Sequence, residues 1–131
     1  MAGIDYLSLE DLVEIGKGVL PVFQVRDWGL LESAVARPQS SVFGDDAYPS
    51  FAEKVAALVH SIARNHCLID GNKRLAWSAG RIFSLMNSRD IVMTVDDAEE
   101  MILQCARGEV DVPELAKIIE RASVELPKQN G

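Results

Sequence analysis

His66-Cys67-Leu68-Ile69-Asp70-Gly71-Asn72-Lys73-Arg74 is a short polar stretch between two segments of helical periodicity. Before it, Phe51, Val55, Leu58, Val59 and Ile62 recur at helical spacing, and after it Leu75, Ala79, Ile82, Phe83 and Met86 do the same. The nine residues therefore join two core helices, and their polar side chains crowd the start of the second. Backbone N–H groups lack partners there, and the helix dipole is positive. A glycine lets backbone approach a ligand, and Asn72, Lys73 and Arg74 follow it directly, so the stretch reads as a phosphate cradle.

Each residue type has a chemistry of its own. His66 takes a proton near neutral pH, which makes it a candidate general base; its plainer role is a cation at a helix C-terminus. Asp70 is a candidate ligand for Mg²⁺, which takes one or two carboxylates and keeps phosphate oxygens and water for the rest; its plainer role is an N-cap. Gly71 and Asn72 offer backbone and amide donors to an anion, Lys73 a point charge and Arg74 a fork. Two cations at a helix start are disfavoured by a few tenths to about 1 kcal/mol, which a bound anion offsets. Arg64, two residues before His66, is a further candidate contact. His60 stands six residues before His66, off any shared helical face, and is read as structural. Cys67 is assigned to packing. Trp28 and Trp77 are core candidates, and Trp77 is also a candidate for lining the ligand pocket.

The pattern His-x-Leu-x-Asp-Gly-Asn-Lys-Arg resembles the signature of the Fic/Doc superfamily, His-x-Phe-x-Asp/Glu-Gly/Ala-Asn-Gly/Lys-Arg. Lys73 makes it more similar to the Doc branch, the death-on-curing toxins, than to Fic adenylyltransferases, which carry Gly there. The likeness extends through Gly29-Leu30-Leu31-Glu32-Ser33-Ala34 and Ala63-Arg64. Leu68 stands where the family has Phe, the residue expected to anchor the loop in the core; Leu anchors with less area. The resemblance implies an ATP- and Mg²⁺-dependent transferase with His66 as base, Asp70 on the metal and Gly71, Asn72, Lys73, Arg74 and Arg64 around the nucleotide. For Doc it implies a kinase that phosphorylates a Ser or Thr hydroxyl of a protein, elongation factor Tu, and stops translation; for Fic it implies AMP transfer. Gly at position 73 leaves room for the β- and γ-phosphates, whereas Lys73 fills that space with charge. Many Fic-like proteins carry an inhibitory Ser/Thr-x-x-x-Glu helix. No Ser or Thr here has Glu four residues later, so restraint is expected from a separate antitoxin whose C-terminal segment folds on binding.

The rest of the chain frames this stretch. Its 131 residues suit one domain, residues 1–131, and 48% apolar content supports a core. A net charge of −7 argues against a general nucleic-acid binder, although a local cradle can be positive on an acidic protein. No apolar run approaches the ~18 residues of a membrane span, the N-terminus lacks a basic-then-apolar signal pattern, and Cys67 and Cys105 lack metal-ligand spacing; a cytoplasmic protein with free thiols is expected.

Ser8 and Asp11 predict the start of a first helix, ended by Gly16 and Gly18. Pro21 predicts an extended connection over residues 20–25. Asp27 caps a second helix to about Val35. Residues 39–49 read as an irregular polar loop, in its plainer reading a solvated connector; the resemblance implies a target- or partner-docking segment near here, which makes it a candidate lip of the site. Ser50 and Glu53 form a capping box for a helix to about Asn65, followed by one from about Gly71 to Met86 with Asn87 as C-cap. Residues 91–95 form a β-like run with no clear partner. A helix starts at Asp96 or Asp97 and closes at Gly108, a last one follows Pro113, and residues 127–131 are expected to fray. The expected fold is an all-α, compact bundle of about six helices. A non-enzymatic helical interaction module is the alternative from another class, and a small DNA-binding helix pair is a third, disfavoured by the charge.

Overall fold

The computed structural model describes residues 3–127, and the expectation for the tail from residue 128 onward lies outside them. Six α-helices make up the fold: α1 (Leu9–Val19), α2 (Trp28–Ala36), α3 (Phe51–Asn65), α4 (Asn72–Met86), α5 (Val95–Ala106) and α6 (Val112–Ala122). Five of them begin on a side chain that accepts a backbone N–H of the first turn: Ser8, Asp27, Ser50, Thr94 and Asp111. Such caps satisfy donors that have no helical partner, each typically worth about 1 kcal/mol. Ser8 with Asp11, Ser50 with Glu53 and Asp111 with Glu114 are reciprocal capping boxes.

α3 is the centre of the bundle. It packs against α2, α4, α5 and α6, and Val55, Leu58, Val59 and Ile62 are all at most 1% exposed. α4 crosses it closely at Gly80, where a Cβ would stand 2.5 Å from Val59 Cγ2. One continuous apolar cluster takes in Leu12, Leu31, Leu75, Phe83, Ile102 and Leu115 together with the buried face of α3.

Several boundaries differ from the sequence reading. Gly16 and Gly18 do not end α1, which runs on to Val19; the stop is Leu20, extended at φ −111° and ψ 138° ahead of Pro21. The 39–49 segment is not wholly irregular. It follows a 3₁₀ turn at Arg37–Gln39 and contains the hairpin β1 (Ser41–Val42) and β2 (Asp45–Asp46). Phe43 and Gly44 turn it with φ of 52° and 86°, the paired positive values of a two-residue type I′ loop. Buried Lys54 ties that hairpin to α3, donating to Asp46 Oδ2 at 3.2 Å and to the Tyr48 carbonyl at 2.6 Å. Only Ile91 of the β-like run lies in a strand: β3 (Arg89–Ile91) starts before the run and pairs antiparallel with β4 (Ser123–Glu125), and the Val92 N–H adds a bond to the Ala122 carbonyl. The end of the run turns helical earlier than expected because the Thr94 hydroxyl accepts the Asp97 N–H at 3.1 Å. Trp28 is not in the core. As the first residue of α2 it lies beside the cap and is 55% exposed, while Leu31, Ala34 and Val35 turn inward.

His60 has the structural place expected of it. Its Nε2 lies 3.1 Å from the Val110 carbonyl. Burial lowers its pKa from the usual 6.5, and the charges of Arg37 and Arg64 act the same way against the Val110 carbonyl and Asp111. The unfolded chain therefore takes up this proton at higher pH than the folded one, and stability falls as pH drops through and below about 6.5. Thermal melts of wild type and His60→Gln between pH 7.5 and 5.5 should converge toward low pH, with wild type losing its advantage. Parallel curves would remove His60 as the titrating group.

Candidate active site

The loop from His66 to Gly71 is held from both sides. Its outer partner is the extended 24–27 segment: Val25 and Leu68 form an antiparallel bridge, the Ile69 N–H donates to the Gln24 carbonyl at 3.0 Å, and the Arg26 and Asp27 N–H groups donate to the Cys67 carbonyl at 2.9 and 3.1 Å. Its inner partner is Asn72, whose Oδ1 accepts the Leu68 N–H at 2.8 Å while its Nδ2 donates to the Leu68 carbonyl at 2.9 Å. Leu68 itself is 1% exposed and occupies the core as an anchor.

His66 caps α3 in the left-handed conformation, φ 51° and ψ 50°, with its side chain exposed. Glycine is the usual occupant of such a position, and a side chain there costs about 1–2 kcal/mol. Gly71 meets the same demand with the residue that suits it. At φ 90° and ψ 12° it starts α4, and a Cβ on it would lie 2.6 Å from Leu20 Cδ2. Its N–H is taken by Asp70 Oδ1 at 2.9 Å, so glycine serves the turn and the packing on Leu20 rather than the approach of a ligand.

α4 is the one helix of the described six without a side-chain N-cap. Asp70 is not that cap, because its recorded bond is to Gly71 and not to the first turn of the helix. The Leu75 N–H returns to the Gly71 carbonyl, and the N–H groups of residues 72–74 have no acceptor among the described contacts. Lys73 and Arg74 stand exposed beside them and enter no ion pair among the described residues. Two unpaired cations at the positive end of a helix make a local anion site on an acidic chain.

This helix start opens into a cavity of about 1010 Å³ between α4, α5 and the 20–24 connection. Asp70, Gly71, Asn72, Lys73 and Arg74 all line it. So does Trp77, half-buried, one turn beyond Lys73, and Arg81 one turn beyond that. Arg81 is gripped by Asp90 through two bonds of 2.9 and 3.1 Å, a pair that raises the Arg81 pKa and holds the Asp90 carboxyl below its usual range. The far wall is apolar, with Met93, Val95, Ile102 and Leu103.

Two expected contacts have other partners. Arg64 is not brought into the cavity: its Nη1 donates to the Ala106 carbonyl at 3.2 Å and its guanidinium lies against Gly108, so it caps the C-terminus of α5. Its side chain points along the face of α3 that packs on α5. The Asn72 amide is committed to Leu68, which leaves backbone N–H as what that residue offers an anion. His66 lies outside the cavity lining, at the far end of the loop from Asp70. Cys67 is buried and burial raises its thiol pKa, which suits packing rather than nucleophilic work. Cys105, pushed up to about 11 by burial, is equally inert. Arg26 escaped the sequence reading altogether. Its Nε donates to the His66 carbonyl at 2.6 Å and its Nη2 to the Asn65 carbonyl at 3.2 Å, partners some 40 residues away with no local signal.

An uncapped, doubly cationic helix start beside a carboxylate can take an anion such as a phosphate, and a His stands on the same loop. The Fic/DOC family model matches residues 6–84, and the chain belongs to that family of nucleotide-dependent transferases. Among individual proteins it is similar to Toxin Doc of Mycolicibacterium smegmatis, with 44% identity over 130 residues, 97% of this chain and 98% of that one. No helix among the described residues is long and apolar enough to cross a membrane.

Proposed function

We propose that this chain is a Doc-type toxin: a kinase that moves the γ-phosphate of ATP, with Mg²⁺, onto a Ser or Thr hydroxyl of a protein, with elongation factor Tu as the target the family likeness names. The observation that carries the reading is the open start of α4, with free N–H groups at residues 72–74 and unpaired Lys73 and Arg74 in one cavity. Bound ATP with Mg²⁺ supplies a transferable phosphoryl group and a divalent charge on its oxygens. Asp70 offers the metal a carboxylate, having one oxygen on the Gly71 N–H and the other without a recorded partner. Lys73 and Arg74 hold phosphate oxygens, with Lys73 occupying the space that Gly leaves open in AMP transferases. His66 takes the proton of the target hydroxyl as that oxygen forms its bond to phosphorus and ADP leaves; a placed base of this kind is worth roughly 10²–10⁴ in rate.

Toxicity belongs to the same reading, supported by the name of the similar protein, and a cytoplasmic setting and restraint by an antitoxin go with it. An antitoxin segment that orders on binding would find apolar surface at Met93, Val95, Ile102 and Leu103, beside the cationic helix start. The test uses ATP labelled at the α or the γ position, incubated with the protein and a bacterial lysate. Label from the γ position is expected on one protein, none from the α position, and none of either with His66→Ala. Protein labelled from the α position would replace phosphorylation with AMP transfer, and no label from either would remove the transferase reading of this chain.

A further inference from the structure

We propose that Arg26 is a positioning residue for His66, a role that rests on His66 being the base. One residue holds three successive carbonyls. Its Nη2 reaches the Asn65 carbonyl at 3.2 Å, its Nε the His66 carbonyl at 2.6 Å, and its own N–H the Cys67 carbonyl at 2.9 Å. The Asn65 and His66 carbonyls are ones that the end of α3 leaves without helical partners, and a cation there faces the negative end of its dipole. The guanidinium fork fixes two of them in one plane, which a lysine ammonium does not reproduce.

The backbone it fixes is the strained one. His66 sits at φ 51° and ψ 50°, a left-handed conformation that persists in a non-glycine residue only where the surroundings enforce it. Asn72 enforces the loop from Leu68 onward, and Asp27 adds a second donor to the Cys67 carbonyl. Arg26 alone among the described side chains bonds the His66 backbone. Rotation of that peptide would carry the imidazole away from the mouth of the loop, and displacement of a catalytic group by about 1 Å costs on the order of 10²-fold in rate.

A helix cap without catalytic meaning would change stability and nothing else, so the test separates the two. The chain has two histidines, and His60→Gln assigns the ring signals of His66 in a proton–nitrogen NMR spectrum. In Arg26→Gln the His66 ring signals should shift and broaden while those of His60 stay. The kcat for γ-phosphate transfer should fall about 10²-fold, with KM for ATP within two-fold and the protein folded at assay temperature. Arg26→Lys, which keeps the charge and loses the fork, should recover at most about ten-fold of that loss. Unmoved His66 signals, or a kcat that falls only with the folded fraction, would overturn the proposal. If Arg26→Gln does not fold, Arg26→Lys decides alone: wild-type kcat in that variant overturns the role, and reduced kcat with shifted His66 signals supports it. Should wild type show no transfer that His66→Ala removes, the base assignment fails by itself, and the NMR comparison still decides whether Arg26 sets the His66 conformation.

Discussion

His66→Gly should give a protein that is more stable than His66→Ala by about 0.5–1 kcal/mol, and both should lose transfer by roughly 10²–10⁴. The expectation follows from one torsion. At φ 51° and ψ 50° residue 66 ends α3 where glycine normally does. Every L side chain is strained there, whereas glycine adopts the conformation without penalty. Glycine also loses more freedom on folding, which reduces the gain but does not reverse it at positive φ. Alanine removes the imidazole and keeps the strain, so the difference between the two variants isolates the backbone cost of placing a His at this point. Urea midpoints measure the stability and labelled ATP the activity. If the Gly variant were the less stable of the two, the strain would be absent. If either variant kept activity within a few-fold, His66 would not be the base. Strain stored at a residue that the fold could relieve with glycine is the pattern expected where selection acts on chemistry rather than stability.

The parts of this structure that were legible in the sequence are those whose cause is local. Ser8, Asp27, Ser50 and Asn87 cap the helices they announce because a cap and its hydrogen-bond partner lie within four residues. The five residues from Asp70 to Arg74 meet in one cavity because they are consecutive at a helix start. What was not legible depends on distant chain. Ile91 pairs with Ser123, thirty-two positions later, and nothing near either residue marks the partner. Gly16 and Gly18 look like breakers, yet a helix carries them when its cap, its apolar face and Pro21 fix both ends. Arg64 was placed near the site by its distance from His66 along the chain, but the direction of its side chain is set by where α5 ends. The Asn72 amide is a donor in any reading of its type, and only the folded loop shows that Leu68 has claimed it.

That claim makes Asn72→Ala the variant with the largest expected effect on the fold of the site. The amide closes a ring with one peptide unit, accepting the Leu68 N–H at 2.8 Å and donating to the Leu68 carbonyl at 2.9 Å, with the Cys67 thiol also directed at its Oδ1 at 3.7 Å. Leu68 is 1% exposed, so water reaches these groups poorly once the amide is gone. An unsatisfied buried donor or acceptor costs about 1–3 kcal/mol, and two of them place the expected loss at about 2–6 kcal/mol. For a chain of this length that lowers the melting temperature by roughly 10 °C or more. Asn72→Asp separates the two halves of the ring. It keeps an acceptor for the Leu68 N–H, but sets a carboxylate oxygen against the Leu68 carbonyl and a negative charge among the α4 N–H groups. Stability should fall less than in the Ala variant, because acid at a helix N-terminus is favourable. Nucleotide affinity should fall more, because that charge repels phosphate. Melting curves and nucleotide titrations on both variants read the two effects separately. An Ala variant within about 0.5 kcal/mol of wild type would show that the loop keeps its shape without the amide, and the assignment of Asn72 as its inner support would be lost.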